Sequence, residues 1–293
     1  MRLNVDQARA QEVVLRLDVA FRSYEGLLSE RDDLVENQFP PGVKKGSGEH
    51  ARFLFFTVPN DHGVKSSRLY EKAIDLFQRK PNLFDPQFIT SRFRGAEDAD
   101  LINATGIALG TRYPKSTAKG WYLNSSRLME RFNGDPRGVF QASADAEVLL
   151  KLVCSFYGFG PKTGGMLIRA LDGLGMARVT GLERVLVPVD IHDSRISFFT
   201  GIVSCNDAEI EKNYHIFARP IQRVLTDACA EADVRWPDVD RALWLIGSRG
   251  CVRLRCRECP LKMLCSVGRS RSINDPASEQ PSAEILHQAH LPW

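Results

Sequence analysis

Four cysteines, Cys251, Cys256, Cys259 and Cys265, fall within fifteen residues of the segment GSRGCVRLRCRECPLKMLCSVG, Gly247 to Gly268. So dense a set of thiols constrains the fold around it, because a loop carrying four soft donors closes on something. Thiolates bind soft metals, and four on one short loop can wrap a [4Fe-4S] cube. The alternative is a structural four-cysteine zinc site. Zinc ribbons usually present two C-x2-C knuckles well apart, whereas this loop has one close pair, Cys256 and Cys259, flanked by single cysteines, which favours the cluster. The other cysteines, Cys154, Cys205 and Cys229, are scattered and read as free thiols in a reducing compartment.

The same stretch is basic. Between Arg249 and Arg271 stand seven basic residues and one acid, Glu258, a local charge of +6 in a chain whose net charge is +3. Such a patch suits a polyanion, and the excess exceeds what offsetting one thiolate cluster requires. No apolar run approaches the roughly 18 residues of a membrane span, and the N-terminus begins an amphipathic pattern rather than a signal peptide, so an intracellular protein is expected, cytoplasmic or nucleoid-associated if bacterial.

Helical spacing dominates the chain. Val5 to Leu34 reads as one long helix, followed by the turn-rich FPPGVKKGSG. Helix-like segments continue from Ala51 to Ala177 and again from Asp190 to the cysteine loop, and strand-like alternation is scarce, so the class is mainly α. The expected organisation is an N-terminal helix (1–50) packing with the cluster lobe, a helical domain (51–186), a helical cluster lobe (187–268) and a flexible tail (269–293).

Two segments carry candidate chemistry. LLKLVCSFYGFGPKTGGMLIRAL reads as helix, glycine hairpin, helix. Gly158 and Gly160 permit a tight turn and leave the second helix's first amides facing a phosphate, with Pro161 suited to the first helical turn. Lys162 stands in that first turn, where the positive end of the helix dipole disfavours an ammonium, and a neutral amine is a nucleophile that can form a Schiff base. A solvated or phosphate-contacting lysine is the plainer reading. In RVLVPVDIHDSRISFF, Asp190 follows a short apolar run where helical spacing resumes. It reads as a helix N-cap, and equally as a carboxylate able to take a proton or support positive charge on a sugar. His192 and Arg195 lie on the next turn, placed either to contact a phosphate or to pack.

Taken together, FYGFGPKTGG, VPVDIHDSR and C-x4-C-x2-CPL-x3-C resemble the helix-hairpin-helix DNA glycosylases, in particular the iron-sulfur branch that includes endonuclease III. WYLNSSRLMERF resembles the helix that leads toward the hairpin in that family. The resemblance implies a two-lobed architecture that binds double-stranded DNA containing a damaged base or abasic site in the groove between its lobes. It implies Lys162 as Schiff-base nucleophile, Asp190 as the essential carboxylate, Gly158, Gly160, Thr163, His192 and Arg195 as DNA-binding positions, and the four cysteines as ligands of a structural [4Fe-4S] cluster. The implied activity is base excision by a bifunctional glycosylase and abasic-site lyase, acting as a monomer. An oxidised pyrimidine is the default substrate, with 8-oxoguanine the alternative suggested by VPVD followed by Ile-His. A monofunctional glycosylase, in which Asp190 assists water, and a non-catalytic DNA-binding module with a structural metal are the competing readings.

This chain departs from the family pattern in four places. Four residues rather than six separate Cys251 from Cys256, about ten extra residues separate Lys162 from Asp190, Pro161 removes an amide from the hairpin, and Asp193 is acidic where the matching position is often apolar. Asn60, in FTVPNDHGVKSS, reads as a turn asparagine or as a polar side chain entering the gap left by a flipped base.

Overall fold

The computed structural model describes residues 3–205 and 214–274. Its helices are α1 (Gln7–Arg22), α2 (Gly48–Thr57), α3 (Ser66–Arg79), α4 (Pro86–Arg92), α5 (Ala99–Ile102), α6 (Pro114–Phe132), α7 (Arg137–Gln141), α8 (Ala146–Cys154), α9 (Pro161–Gly173), α10 (Ile191–Phe199), α11 (Tyr214–Glu231), α12 (Trp236–Leu245) and α13 (Ser266–Asn274). Among the described residues the regular β structure is one antiparallel pair, β1 (Asn4–Val5) with β2 (Val203–Ser204), in register Asn4 to Ser204. The mainly α class expected from periodicity is the class observed. No helix among the described residues is long and apolar enough to cross a membrane.

The chain divides into two compact units. Within the described residues, one combines 3–34 with 186–274 and the other is continuous over 35–185. In the discontinuous unit, α1 packs on α11 and α12. The helix earns that position through Ala10, Val13, Val14, Leu17 and Phe21, spaced three and four apart and buried on one face. Each large apolar side chain removed from water there contributes about 1.5–3 kcal/mol. Leu15 and Val19 stay 47% and 60% exposed, so the run VVLRLDVAF is apolar beyond its buried stripe. The single long helix expected over Val5 to Leu34 is instead α1 followed by a turn and a short 3-10 helix, Gly26–Ser29. Tyr24 and Gly26 take positive φ, 55° and 52°, which ends the helix. At Gly26 a side chain would also collide with the Glu258 carbonyl, 2.2 Å from a built Cβ, so the turn presses against the cysteine loop.

The continuous unit is built on aromatic rings. Phe53, Phe55 and Phe56 of α2 are buried with Phe84, Trp121, Phe140 and Phe156. Phe56 stacks on Trp121 at 5.0 Å, and the indole Nε1 donates to the Leu83 carbonyl at 2.7 Å, which removes the polar cost of burying that ring. The segment between α9 and residue 185 folds back on the start of α8: the Thr180 amide donates to Ala144 O at 2.7 Å and the Ala146 amide to Thr180 O at 2.9 Å. A 3-10 turn over Leu182–Arg184 then brings Arg184 to Asp145. The extra residues between Lys162 and Asp190 are thus ordered by bridging to the N-terminus of α8. The residues expected to form a tail begin within α13, and 275–293 lie outside the described residues.

Candidate active site

The hairpin expected from the glycine pattern is formed by α8, a turn over 155–160, and α9. Gly158 needs to be glycine, with φ of +85°, whereas Gly160 is extended (φ −113°, ψ −179°) and has open space where a side chain would go. Gly164 permits close approach of the two helices: a Cβ there would lie 2.9 Å from Leu150 Cδ1 and 3.2 Å from Cys154 Sγ. Beneath the turn, Phe55 meets Phe156 edge-on at 5.0 Å and Phe159 at 5.3 Å. Asn124 of α6 grips the turn's backbone from the side, its Oδ1 accepting from Tyr157 N at 2.8 Å and its Nδ2 donating to Tyr157 O at 2.9 Å. Arg127, one turn on, donates to the Ser155 carbonyl. Sequence reasoning missed both residues as supports, although they lie in WYLNSSRLMERF; an amide side chain 33 residues from the turn carries no local signal of its partner.

Lys162 is exposed at the second position of α9, and Thr163 follows it, half-buried. Thr163 Oγ1 accepts from the Gly160 amide at 2.9 Å. Pro161 has no amide hydrogen and that of Gly160 is taken up internally, so the turn offers an anion fewer donors than its glycine content suggests.

In the other unit, Asp190 is the N-cap of α10, as its position after the apolar run led us to expect. Its Oδ1 accepts from the His192 amide at 2.7 Å and the Asp193 amide at 3.2 Å. Asp193 closes the motif in return, Oδ2 accepting from the Asp190 amide at 2.7 Å. Asp193 is 3% exposed, and its Oδ1 is buried with no hydrogen-bond partner among the described residues. Burial, then the negative charges of Asp190 and Asp240, pushes its carboxyl well above the usual carboxylate range, which favours its protonated form.

His192 and Arg195 are each 6% exposed. His192 packs against the chain leading into the cysteine loop, so closely at Gly247 that a built Cβ would lie 2.4 Å from His192 Cβ. Arg195 acts electrostatically on Cys251, favouring its thiolate. Both side chains therefore face the cysteine loop from α10, the packed one of the two placements their position allowed.

The loop leaves α12 through a π turn, Ile246–Gly250, and proceeds by short 3-10 turns at Cys251–Arg253 and Cys256–Glu258. All four cysteines are half-buried. Burial, followed by the charges of Cys259, Cys265 and, more weakly, Cys256, raises the Cys251 thiol strongly; burial raises Cys259 to about 12. Four thiols in a single loop are the donor type an iron-sulfur group takes, and a bound cation favours the thiolate form. Among the described residues no three His, Cys, Asp or Glu side chains are gathered at metal-binding distance.

The basic run is divided in use. Arg249 donates to Glu30 at 2.8 Å and to Asp33 at 2.7 Å, and Arg255 bonds Glu30 at 2.6 Å and Glu258. These two arginines fasten the cysteine loop to the segment after α1. Arg253, Arg257, Lys262 and Arg269 stay exposed.

Beside the hairpin lies a cleft of about 430 Å³, open mouth included, whose lining includes Asn60, Arg112, Tyr113, Trp121, Tyr157 and Gly158. Asn60 is 8% exposed, donating to Phe56 O at 2.9 Å and accepting from Thr117 Oγ1 at 2.9 Å. Both ends of its amide are thus engaged, which favours the turn-asparagine reading.

No family model matches the chain, and no curated protein matches it. Among solved structures it is similar to a trapped covalent intermediate of endonuclease III with DNA, an estranged-adenine complex, with a TM-score of 0.55 and 16% identity over 90% of this chain and 98% of that one. It is also similar to a thermostable thymine-DNA glycosylase, with a TM-score of 0.53 and 11% identity over 90% and 98%. At these identities the likeness concerns the fold alone: this chain shares the helical fold of those two structures.

Proposed function

We propose that the protein is a base excision repair DNA glycosylase with abasic-site lyase activity, acting inside the cell as a monomer on double-stranded DNA that contains an oxidised base. The observation that carries this reading is Lys162, an exposed amine in the first turn of α9 immediately after a hairpin held by Phe55 and Asn124. The likeness to an endonuclease III trapped covalently on DNA supports it.

In this mechanism the damaged nucleotide leaves the base stack, at a cost of a few kcal/mol that a lesion lowers. The Lys162 nitrogen bonds to C1′ of the sugar as the bond from C1′ to the base breaks, and the base departs with that electron pair and gains a proton. Asp190 supports the positive charge that develops on the sugar. The nitrogen then loses a proton and the C1′–O4′ bond opens, O4′ taking up a proton, to give the Schiff base; this acidifies C2′, and loss of its proton expels the 3′ phosphate by β-elimination. The mechanism requires Lys162 and Asp190 to serve the same nucleotide. Gly158, Gly160 and Thr163 would meet the DNA backbone at the turn; His192 and Arg195, being buried, would act by holding α10. Cys251, Cys256, Cys259 and Cys265 would hold a [4Fe-4S] cluster, which supplies structural closure of the loop that carries Arg253, Arg257 and Lys262 toward phosphate.

Borohydride trapping on duplexes carrying an abasic site, thymine glycol or 8-oxoguanine tests the reading. A covalent band is expected with wild type and none with Lys162→Ala, and its lesion dependence ranks the substrates. Base release without a trapped band would assign water as nucleophile, and DNA binding with neither would leave a binding module.

A further inference from the structure

Asp193 is an acid buried at a helix start, and the N-cap needs only one of its oxygens. Oδ2 accepts the Asp190 amide, while Oδ1 is shut off from water. The two carboxyls close one reciprocal cap, each accepting the other's backbone amide, and two carboxyls held that close in a buried site avoid like-charge repulsion when one carries a proton. We propose that Asp193 is a positioning residue that shares its proton with Asp190, so that the pair holds a single negative charge and the Asp190 carboxylate is aimed by a carboxylic acid instead of by water.

The surroundings decide which of the two holds the proton. Asp193 is 3% exposed, while Asp190 is half-buried and takes two amide hydrogen bonds that favour its charged form. Among the elements packed on α10, α12 brings a charge to bear on Asp193, that of Asp240, which further disfavours its ionisation. The α11 helix meets α10 through rings, Phe217 edge-on to Phe198 at 5.9 Å, the π turn meets it through Gly247, and β2 brings Val203 and Ser204. The arrangement is that of a carboxylic acid kept neutral so that it can donate a hydrogen bond. Its consequence for catalysis rests on the glycosylase reading: a hydrogen bond to a carboxylate that supports a developing cation fixes where that charge points. Ionisation of Asp193 would put a second negative charge in the pair and remove the donor.

Two measurements test this on the full-length protein. In the first, carboxyl carbon shifts of ¹³C-labelled aspartates are followed against pH in wild type and in Asp190→Asn. Asp193 is expected to titrate far above an ordinary aspartate and to move down when Asp190 loses its charge. An Asp193 that titrates near 4, or is indifferent to Asp190→Asn, overturns the proposal. In the second, single-turnover base release is compared across about pH 5 to 10 for wild type, Asp193→Asn and Asp193→Leu. Asparagine keeps the cap acceptor and a donor but cannot ionise, so the ratio of its rate to that of wild type should climb by about tenfold or more toward alkaline pH. Leucine removes cap and donor and should slow release by roughly 10- to 100-fold. Taking a ratio cancels the ionisation of Lys162, which all three proteins share. A flat ratio overturns the proposal, as does an Asp193→Asn protein that binds DNA yet releases no base at any pH, because Asp193 would then be the proton source itself. If wild type releases no base at all while the shared-proton titration is seen, the glycosylase reading fails and the acid pair stands.

Discussion

In each of the two units burial shifts a titratable side chain toward its neutral form, one a base and one an acid, and the two respond to pH in opposite directions. In the continuous unit, His50 is fully buried, its ring 4.5 Å from that of Phe39 and its Nδ1 accepting from the Gly46 amide at 3.0 Å. Burial, and then the charge of Lys45, lowers it to about 4 from 6.5. The unfolded chain takes up a proton here below 6.5 and the folded unit does not until about 4, so this unit loses stability as pH falls through that window. In the discontinuous unit, the Asp193 carboxyl is raised, so the unfolded chain releases a proton above 3.8 that the folded unit retains; this unit loses stability as pH rises from 3.8. Burial favours the neutral form in both units, and whether that form is the deprotonated base or the protonated acid sets the direction of pH sensitivity. The two units also differ in how they position a candidate group: the hairpin under Lys162 is set by rings and a backbone clamp, whereas Asp190 sits in a reciprocal cap with Asp193.

Hydrogen exchange read separately for peptides of each unit can break or sharpen that contrast. The largest effect is expected from Phe55→Ala, which removes the ring under the hairpin and should cost the continuous unit about 3–5 kcal/mol, equally at about pH 5 and pH 8. A pH-dependent loss would mean that the aromatic core and the titrating histidine are not independent. His50→Gln should come next, abolishing about 2–3 kcal/mol of acid destabilisation between pH 6.5 and 4 in that unit. Asp193→Asn should flatten the opposite slope in the other unit. If either variant leaves its slope in place, the assignment of that slope is wrong. Asn124→Ala strands the Tyr157 amide and carbonyl and should cost about 1–3 kcal/mol, read as faster exchange at the turn without a change of pH slope. The smallest effect is expected at Glu30, which hydrogen bonds from Arg255 and Arg249 hold at about 2. Its lowered value stabilises the fold above 4.5 and the contribution fades as pH falls toward 2. The site is largely solvated, so Glu30→Gln should cost no more than about 1 kcal/mol at neutral pH, less in high salt.

Much of the candidate site was legible because it depends on residues close together in the chain. Gly158, Pro161 and Lys162 act within one turn, and Asp190 caps amides two and three residues ahead of it. The supports were hidden because their partners are distant. Asn124 meets Tyr157 across 33 residues, and Arg249 and Arg255 meet Glu30 across more than two hundred. The excess of positive charge in the cysteine loop therefore overstated what is available to phosphate, since charge counted along a sequence takes no account of acids brought in by the fold. Helix length was misjudged at α1 for a related reason: apolar spacing ran on past Arg22, but the positive φ at Tyr24 and Gly26 turned the chain toward Glu258.

The sequence by itself determined the mainly α class, the glycine hairpin, the cap at Asp190 and the crowding of four thiols into one loop. These follow from backbone preference, side-chain spacing and local hydrogen bonding, which operate over a few residues. Tertiary packing alone settled that His192 and Arg195 are buried, that the Lys162 turn rests on Phe55 and Asn124, and that Asp193 is buried beside Asp190. Burial, and the choice of which charges face one another, arise from contacts between segments that the chain order keeps far apart.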